Sequence, residues 1–459
     1  MSVIAAFIVP HPPLIFPEVG KGEEKIIQKT IDSYRSVADQ IAEIKPETVI
    51  LTSPHSIAYA DYFHISPGAS ASGNFSQFRA PQVKMQVSYD EEFVRLLSDN
   101  AKNAGISAGT SGERDPNLDH GTIIPLRFIQ EKYQDFKLVR IGLSGFSLLD
   151  HYEFGKVIAE TAEQLERRTV FVASGDMSHK LKVDGPYGFA AEGPIFDKQA
   201  SDAMAAGDFL KLLKMDPNFS EKAAVCGINS FVIMAGALDG KSVDPELLSY
   251  EGPFGVGYAV ASFHVTGNDP SRCFDKIIET EIKAKREQDD PYLKLARASL
   301  EYYIKTGKIL TVPKDLPKDM LTKQAGVFVS LHKSGTLRGC IGTIYPVRTN
   351  IADEIIENAI SAGTHDPRFE EVREDELKDL VYDVDILKEP ETIDLPDQLD
   401  IKRYGVIVSH GSMRGLLLPN LDGVDSIEQQ IDIARRKAGI PKGLKMDLQR
   451  FEVIRHEEK

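Results

Sequence analysis

The chain has 459 residues, 42% of them apolar and 27% charged, which is room for two or three domains with their own cores and excludes a disordered or collagen-like protein. Its 69 acidic against 54 basic residues give a formal net charge of -15, which argues against a charge-driven grip on nucleic acid or an anionic membrane and favours small-molecule or protein partners. Three widely spaced cysteines, Cys226, Cys273 and Cys340, are too few for a disulfide framework and suit a reducing, cytoplasmic setting.

In chain order, Val3 to Val9 predicts a buried strand. It lacks a preceding basic region and ends in Pro10-His11-Pro12-Pro13, so it reads as neither a signal peptide nor a membrane span. Ile27, Ile31, Tyr34, Ala38 and Ile41 follow at helical spacing. Strands are predicted at Thr48 to Ser53, Leu138 to Leu143 and Thr169 to Ser174, with a helix through Phe154, Val157, Ile158, Thr161 and Leu165 between the last two. The glycines of Gly252 to Gly257 lack the lysine and the strand-then-helix context of a phosphate loop, and read as a turn into an apolar strand ending at Val265. Residues 1–266 therefore predict an α/β domain with a mainly parallel sheet and flanking helices.

Residues 267–288 are dense in charge and read as a linker, and Pro291 is a natural first-turn residue for a new helix. Residues 289–459 mix helices near Leu293 to Tyr303, Asn350 to Ala362 and Ser426 to Ala438 with strands at Gly326 to Leu331, Asp379 to Leu387 and Tyr404 to Val408. Strands and helices do not strictly alternate there, which predicts α+β. The basic run Arg435-Arg436-Lys437 has acidic residues around it and reads as a solvated helix face.

Four histidines carry the chemistry of the first region. His11, His55 and His179 each follow a predicted strand, and in an open α/β sheet the carboxyl ends of strands face a common crevice. His120 lies in a predicted loop, Asn117-Leu118-Asp119-His120-Gly121. Imidazole both ligates metals and moves protons near neutrality, so a cluster of four can divide into metal ligands and acid/base groups.

Pro10-His11-Pro12-Pro13, Ser53-Pro54-His55-Ser56, Asp119-His120-Gly121 with Pro125-Leu126, and Ser174-Gly175-Asp176-Met177-Ser178-His179, in that order, resemble the class III extradiol ring-cleavage dioxygenases of the LigB and DOPA-dioxygenase type, and their Memo relatives. The resemblance covers residues 1–266. It implies that His11 and His55 hold a divalent metal, Fe(II) foremost and Zn or Cu as alternatives, while His179 and His120 handle protons or orient a phenolic, catechol-like substrate. Ring-cleaving members carry Glu or His as third ligand, whereas the corresponding stretch here is Val225-Cys226-Gly227, as in the Memo branch. Thiolate is softer than carboxylate, so Cys226 bears on which metal binds and whether rings are cleaved. Glu251 is an alternative carboxylate ligand, and Asp176 either orients His179 or binds the metal itself.

In the second region Leu337-Arg338-Gly339-Cys340-Ile341-Gly342, with Asp366-Pro367-Arg368-Phe369 and Gly415-Leu416-Leu417-Leu418-Pro419, resembles the AMMECR-type domain over about residues 289–455. Arg338 beside Cys340 suggests an activated thiol and His365 its base, against a purely structural hexapeptide. The fusion resembles proteins of the AmmeMemoRadiSam system, which implies a radical S-adenosylmethionine protein as partner. This chain lacks the Cys-x3-Cys-x2-Cys cluster such a protein carries. Two functions stay open from sequence: a metal-dependent dioxygenase-like oxidoreductase, or a non-catalytic redox-metal accessory protein. Substrate and oligomeric state stay open with them.

Overall fold

The computed structural model describes residues 3–458 apart from 334 and 422 and the side chain of 375. It divides into two compact units, Met1–Thr280 and Glu281–Lys459.

Among the described residues, the main sheet of the first unit has six strands: β1 (Val3–Val9), β2 (Thr48–Ser53), β3 (Lys137–Gly142), β4 (Thr169–Ser174), β5 (Lys241–Glu251) and β6 (Tyr258–Asn268). Their order is β3-β2-β4-β1-β6-β5. The first four are mutually parallel, and β6 and β5 add antiparallel to β1. Both faces are covered, which is why the parallel strands read as unbroken apolar runs. Along β1, Ala6 and Ile8 enter one apolar cluster while Ala5, Phe7 and Val9 enter the other. Each large side chain so buried contributes about 1.5–3 kcal/mol.

Helices α1 (Gln28–Ile44), α2 (His120–Gln130), α3 (Leu148–Gln164) and α4 (Ile228–Ala237) belong to this unit. His120, expected in a loop, is the first residue of α2. The Asp119 side chain caps that helix by accepting from Thr122 N, so the turn that sequence read as irregular is a helix start. The charged segment expected as a linker is largely regular as well. β6 runs to Asn268, and Phe274–Gln288 forms α5, whose first residues Phe274 and Asp275 are buried.

The second unit has α6 (Pro291–Thr306), α7 (Ile351–Thr364) and α8 (Ile427–Lys437). Its described strands are β7 (Val327–Lys333), β8 (Thr336–Gly342), β9 (Leu380–Leu387), β10 (Glu391–Ile393), β11 (Gly405–His410), β12 (Met413–Leu417), β13 (Asp447–Phe451) and β14 (Val453–Glu457). They form two four-stranded antiparallel sheets, β8-β7-β9-β14 and β10-β13-β11-β12. The architecture is therefore α/β followed by α+β.

Candidate metal centre

The strand order β2-β4-β1 sets three carboxyl ends side by side, and the chain leaves them through His55, through Asp176 to His179, and through His11. Cys226 joins them from the turn before α4. That turn is drawn in by two glycines: a Cβ on Gly175 would stand 2.2 Å from the Gly227 Cα, and one on Gly227 would stand 2.9 Å from the Asp176 carbonyl oxygen. Asp176 N then donates to Cys226 Sγ at 3.2 Å, and Gly227 N to Asp176 O at 3.0 Å.

At the centre His11 Nε2 and His55 Nε2 are 3.0 Å apart, and Cys226 Sγ lies 3.7 Å from His11 Nε2. The donor atoms of His11, His55 and Cys226 all fall within 4.8 Å of one another, as do those of Asp176, His179 and Cys226. Bonds of roughly 2.1 Å from a metal to nitrogen and 2.3 Å to sulfur make the edges of a coordination polyhedron about 3.0–3.7 Å. The donor set fits a single divalent ion.

The histidines are oriented from behind. His11 Nδ1 lies 3.0 Å from Ser174 Oγ, which turns Nε2 toward the centre, and His11 N donates to Asp176 Oδ1 at 2.8 Å. His179 Nδ1 donates to the Ala224 carbonyl at 2.7 Å, leaving a lone pair on Nε2, 3.9 Å from Asp176 Oδ2. The His120 ring lies beside His55, centroids 4.0 Å apart, and packs T-shaped with Phe78, centroids 5.2 Å apart. His11 is buried and His55 exposed, so the group opens to solvent on the His55 side.

Burial, then the nearby His55, holds His11 well below the ordinary imidazole range. Burial, then the closeness of the His55 and His11 rings, pulls His120 down to about 3, so the His11 and His120 rings are neutral at neutral pH. Burial, then the Asp176 charge, pushes the Cys226 thiol up. Burial also raises Asp176, against the hydrogen bond from His11 N. A thiolate here needs a cation to hold it.

Asp119 and Tyr187 were not singled out from sequence as site residues. Asp119 Oδ1 accepts from Ser53 Oγ at 2.6 Å and Oδ2 from Arg140 Nη2 at 3.0 Å, which ties the start of α2 to the ends of β2 and β3. The capping position in Asp-His-Gly was the signal for it. The exposed Tyr187 meets the His179 ring edge-on at 5.0 Å, and no sequence signal marked it.

Three expectations are corrected. Glu251 is outside the donor group, because its Oε2 accepts from Thr30 N and Thr30 Oγ1, both at 2.8 Å, near the start of α1. Arg338 does not activate Cys340: its guanidinium is held by Glu376 at 3.0–3.1 Å and by the Glu370 carbonyl, and the guanidinium near the thiol is that of Arg368. His365 is exposed and its Nδ1 is 2.7 Å from Thr364 Oγ1, whereas the Cys340 sulfur accepts from Ser330 Oγ at 3.2 Å.

Residues 5–261 match the family model described as the catalytic LigB subunit of aromatic ring-opening dioxygenase. The chain belongs to the LigB family. Residues 293–457 match the AMMECR1 model, so this LigB-family protein carries an AMMECR1 domain behind its dioxygenase-like domain. A Clostridium acetobutylicum protein is 41% identical over 477 aligned positions, covering all of both chains. A Thermotoga maritima protein is 48% identical over 37% of this chain and 98% of its own. Among solved structures, an uncharacterized Pyrococcus horikoshii protein covers 37% of this chain and 90% of its own, at 32% identity and a TM-score of 0.35. An uncharacterized Escherichia coli K12 protein covers 56% and 99%, at 14% identity and a TM-score of 0.36. Among the described residues no helix is long and apolar enough to cross a membrane.

Proposed function

We propose that the LigB-family protein is a non-haem metal-dependent oxidoreductase that acts on a small phenolic substrate, with the ion held by His11, His55 and Cys226. The observation that carries this reading is the convergence of two imidazole nitrogens and a thiol within 4.8 Å at the carboxyl ends of parallel strands. Ferrous iron, the ion favoured here over zinc or copper, would polarise a phenolic oxygen and supply the redox chemistry.

The chain's own residues do the rest. His179 takes the phenolic proton on Nε2, since Nδ1 is committed to the Ala224 carbonyl. Asp176 lies 3.9 Å from that nitrogen and stabilises the imidazolium that forms. His120, neutral and backed by Phe78, orients the substrate on the His55 side, where the group meets solvent. A cytoplasmic location and a separate radical S-adenosylmethionine partner remain part of this proposal.

Cys226 in place of a carboxylate supports a second reading, an accessory protein that binds a redox metal without turnover. Protein reconstituted anaerobically with Fe(II) and supplied with a panel of catechols separates them. Oxygen uptake with one ring-opened product per O2 consumed supports the enzyme. Stoichiometric metal with no uptake supports the accessory role.

A further inference from the structure

In the second unit, strand alternation leaves one sheet face outside the larger apolar cluster, with only Phe328 of its β7 residues entering a smaller one. Val327, Val329 and Leu331 on β7 join Leu380, Tyr382 and Val384 on β9 in an apolar cluster. The intervening positions carry Phe328, Ser330 and His332 on β7 and Asp383 and Asp385 on β9. Register places Cys340, Ser330 and Asp383 opposite one another on three adjacent strands. This face borders a cavity of about 960 Å³, walled on other sides by Leu416 and Leu418, by Asp366 and Arg368, and by Lys437.

The carboxylates of the cavity wall are engaged. Asp366 accepts from Arg368 Nε at 2.9 Å and Nη2 at 2.7 Å, and Asp385 from Arg455 Nε at 2.8 Å and Nη2 at 3.0 Å. Asp383 lies 3.2 Å from His332 Nδ1. Lys437, the last residue of α8, is different: it is solvent-exposed at the cavity rim, and its ammonium has no hydrogen-bond or ion-pair partner among the described residues. Burial pushes the Cys340 thiol up, while the Ser330 hydrogen bond and the charges of Arg368 and Lys437 act against it, which places both cations within electrostatic reach of the sulfur. An uncommitted cation at the rim of a cavity that also holds a thiol, whose carboxylates are already engaged and whose lining includes Leu416, Leu418 and Phe328, asks for a ligand with one negative end and an apolar body.

The geometry points to a binding site for a small organic carboxylate, its charged end on Lys437 beside the Cys340 thiol and its body on Leu416, Leu418 and Phe328. This site is separate from the metal centre and does not depend on the function proposed for it.

Alkylation of the full chain tests it, because iodoacetate is itself a small carboxylate. The Cys340 sulfur displaces iodide as the S–C bond forms and the C–I bond breaks, and the thiol proton passes to solvent. Iodoacetamide is the neutral twin, and peptide mass spectrometry resolves Cys340 from Cys226 and Cys273. The iodoacetate-to-iodoacetamide rate ratio at Cys340 is expected to exceed that of free N-acetylcysteine amide by about fivefold or more. Lys437→Met should bring it back to the free-thiol value, and hexanoate should protect Cys340 where hexylamine does not. A Cys340 ratio equal to the free thiol's, a ratio unchanged in Lys437→Met, or equal protection by hexylamine overturns the site. Protection by hexyl phosphate but not by hexanoate overturns the carboxylate assignment.

Discussion

Arg140 on β3 is 2% exposed, and its charge is answered by Asp119 at 3.0 Å. Burial would raise the Asp119 carboxyl, but Arg140 and the hydroxyls of Ser53 and Thr122 hold it below its ordinary value. Removing one member of a buried ion pair strands the other, so Arg140→Met should destabilise the protein by about 3–5 kcal/mol in urea unfolding. Arg140→Met combined with Asp119→Asn should recover part of that loss, and a single-variant cost below about 1 kcal/mol would contradict the pairing. The four histidines of the site were legible because their residue type announces the chemistry and three of them, His11, His55 and His179, follow strands. Arg140, Asp119 and the partner of Arg338 were not, because the charge that pairs with each is brought in by the fold. Asp119 and Arg140 are paired across 21 residues and Arg338 and Glu376 across 38. The same limit put Glu251 forward as an alternative ligand, whereas in the fold its carboxylate accepts from Thr30.

At the scale of elements, α3 and α4 cross on two glycines. A Cβ on Gly155 would stand 2.0 Å from the Ile233 carbonyl oxygen, and one on Gly236 would stand 2.0 Å from that of Tyr152. Backbone atoms cannot swing aside, so the helices must part. Gly236→Ala should therefore cost about 1–3 kcal/mol, and alkylation of Cys226, two residues ahead of α4, should accelerate. Gly267→Ala, with nothing within 4 Å of the added Cβ, is the control and should do neither. If Gly236→Ala matches that control in stability and in Cys226 reactivity, the close crossing is not what seats the cysteine. Strands β1, β2 and β4 and helices α1 and α3 were legible from periodicity, since these strands are buried on both faces and α1 on one. The antiparallel β5 was missed because it is mostly half-buried: among its eleven residues only Ser249 is buried. The helical character of 274–288 was missed because dense charge reads equally as a linker and as a solvated helix.

At the scale of the whole molecule, the two units have separate apolar clusters, and α5 spans the division between residues 280 and 281. Fragments 1–280 and 281–459 should each express as soluble protein with a cooperative unfolding transition. Two insoluble fragments would mean that neither core is complete without the other. The centre that decides the function lies wholly in the first unit, and its ligand assignment is open to direct measurement. Metal content should be determined after Fe(II) reconstitution and gel filtration in the wild-type chain and in His11→Ala, His55→Ala, Cys226→Ala and His179→Ala. Loss of a coordinating side chain should lower affinity by more than the roughly 10–100-fold typical of outer partners, so the first three variants should emerge nearly metal-free while His179→Ala keeps its ion. Full metal in Cys226→Ala, or equal loss in all four, would contradict the ligand set of His11, His55 and Cys226.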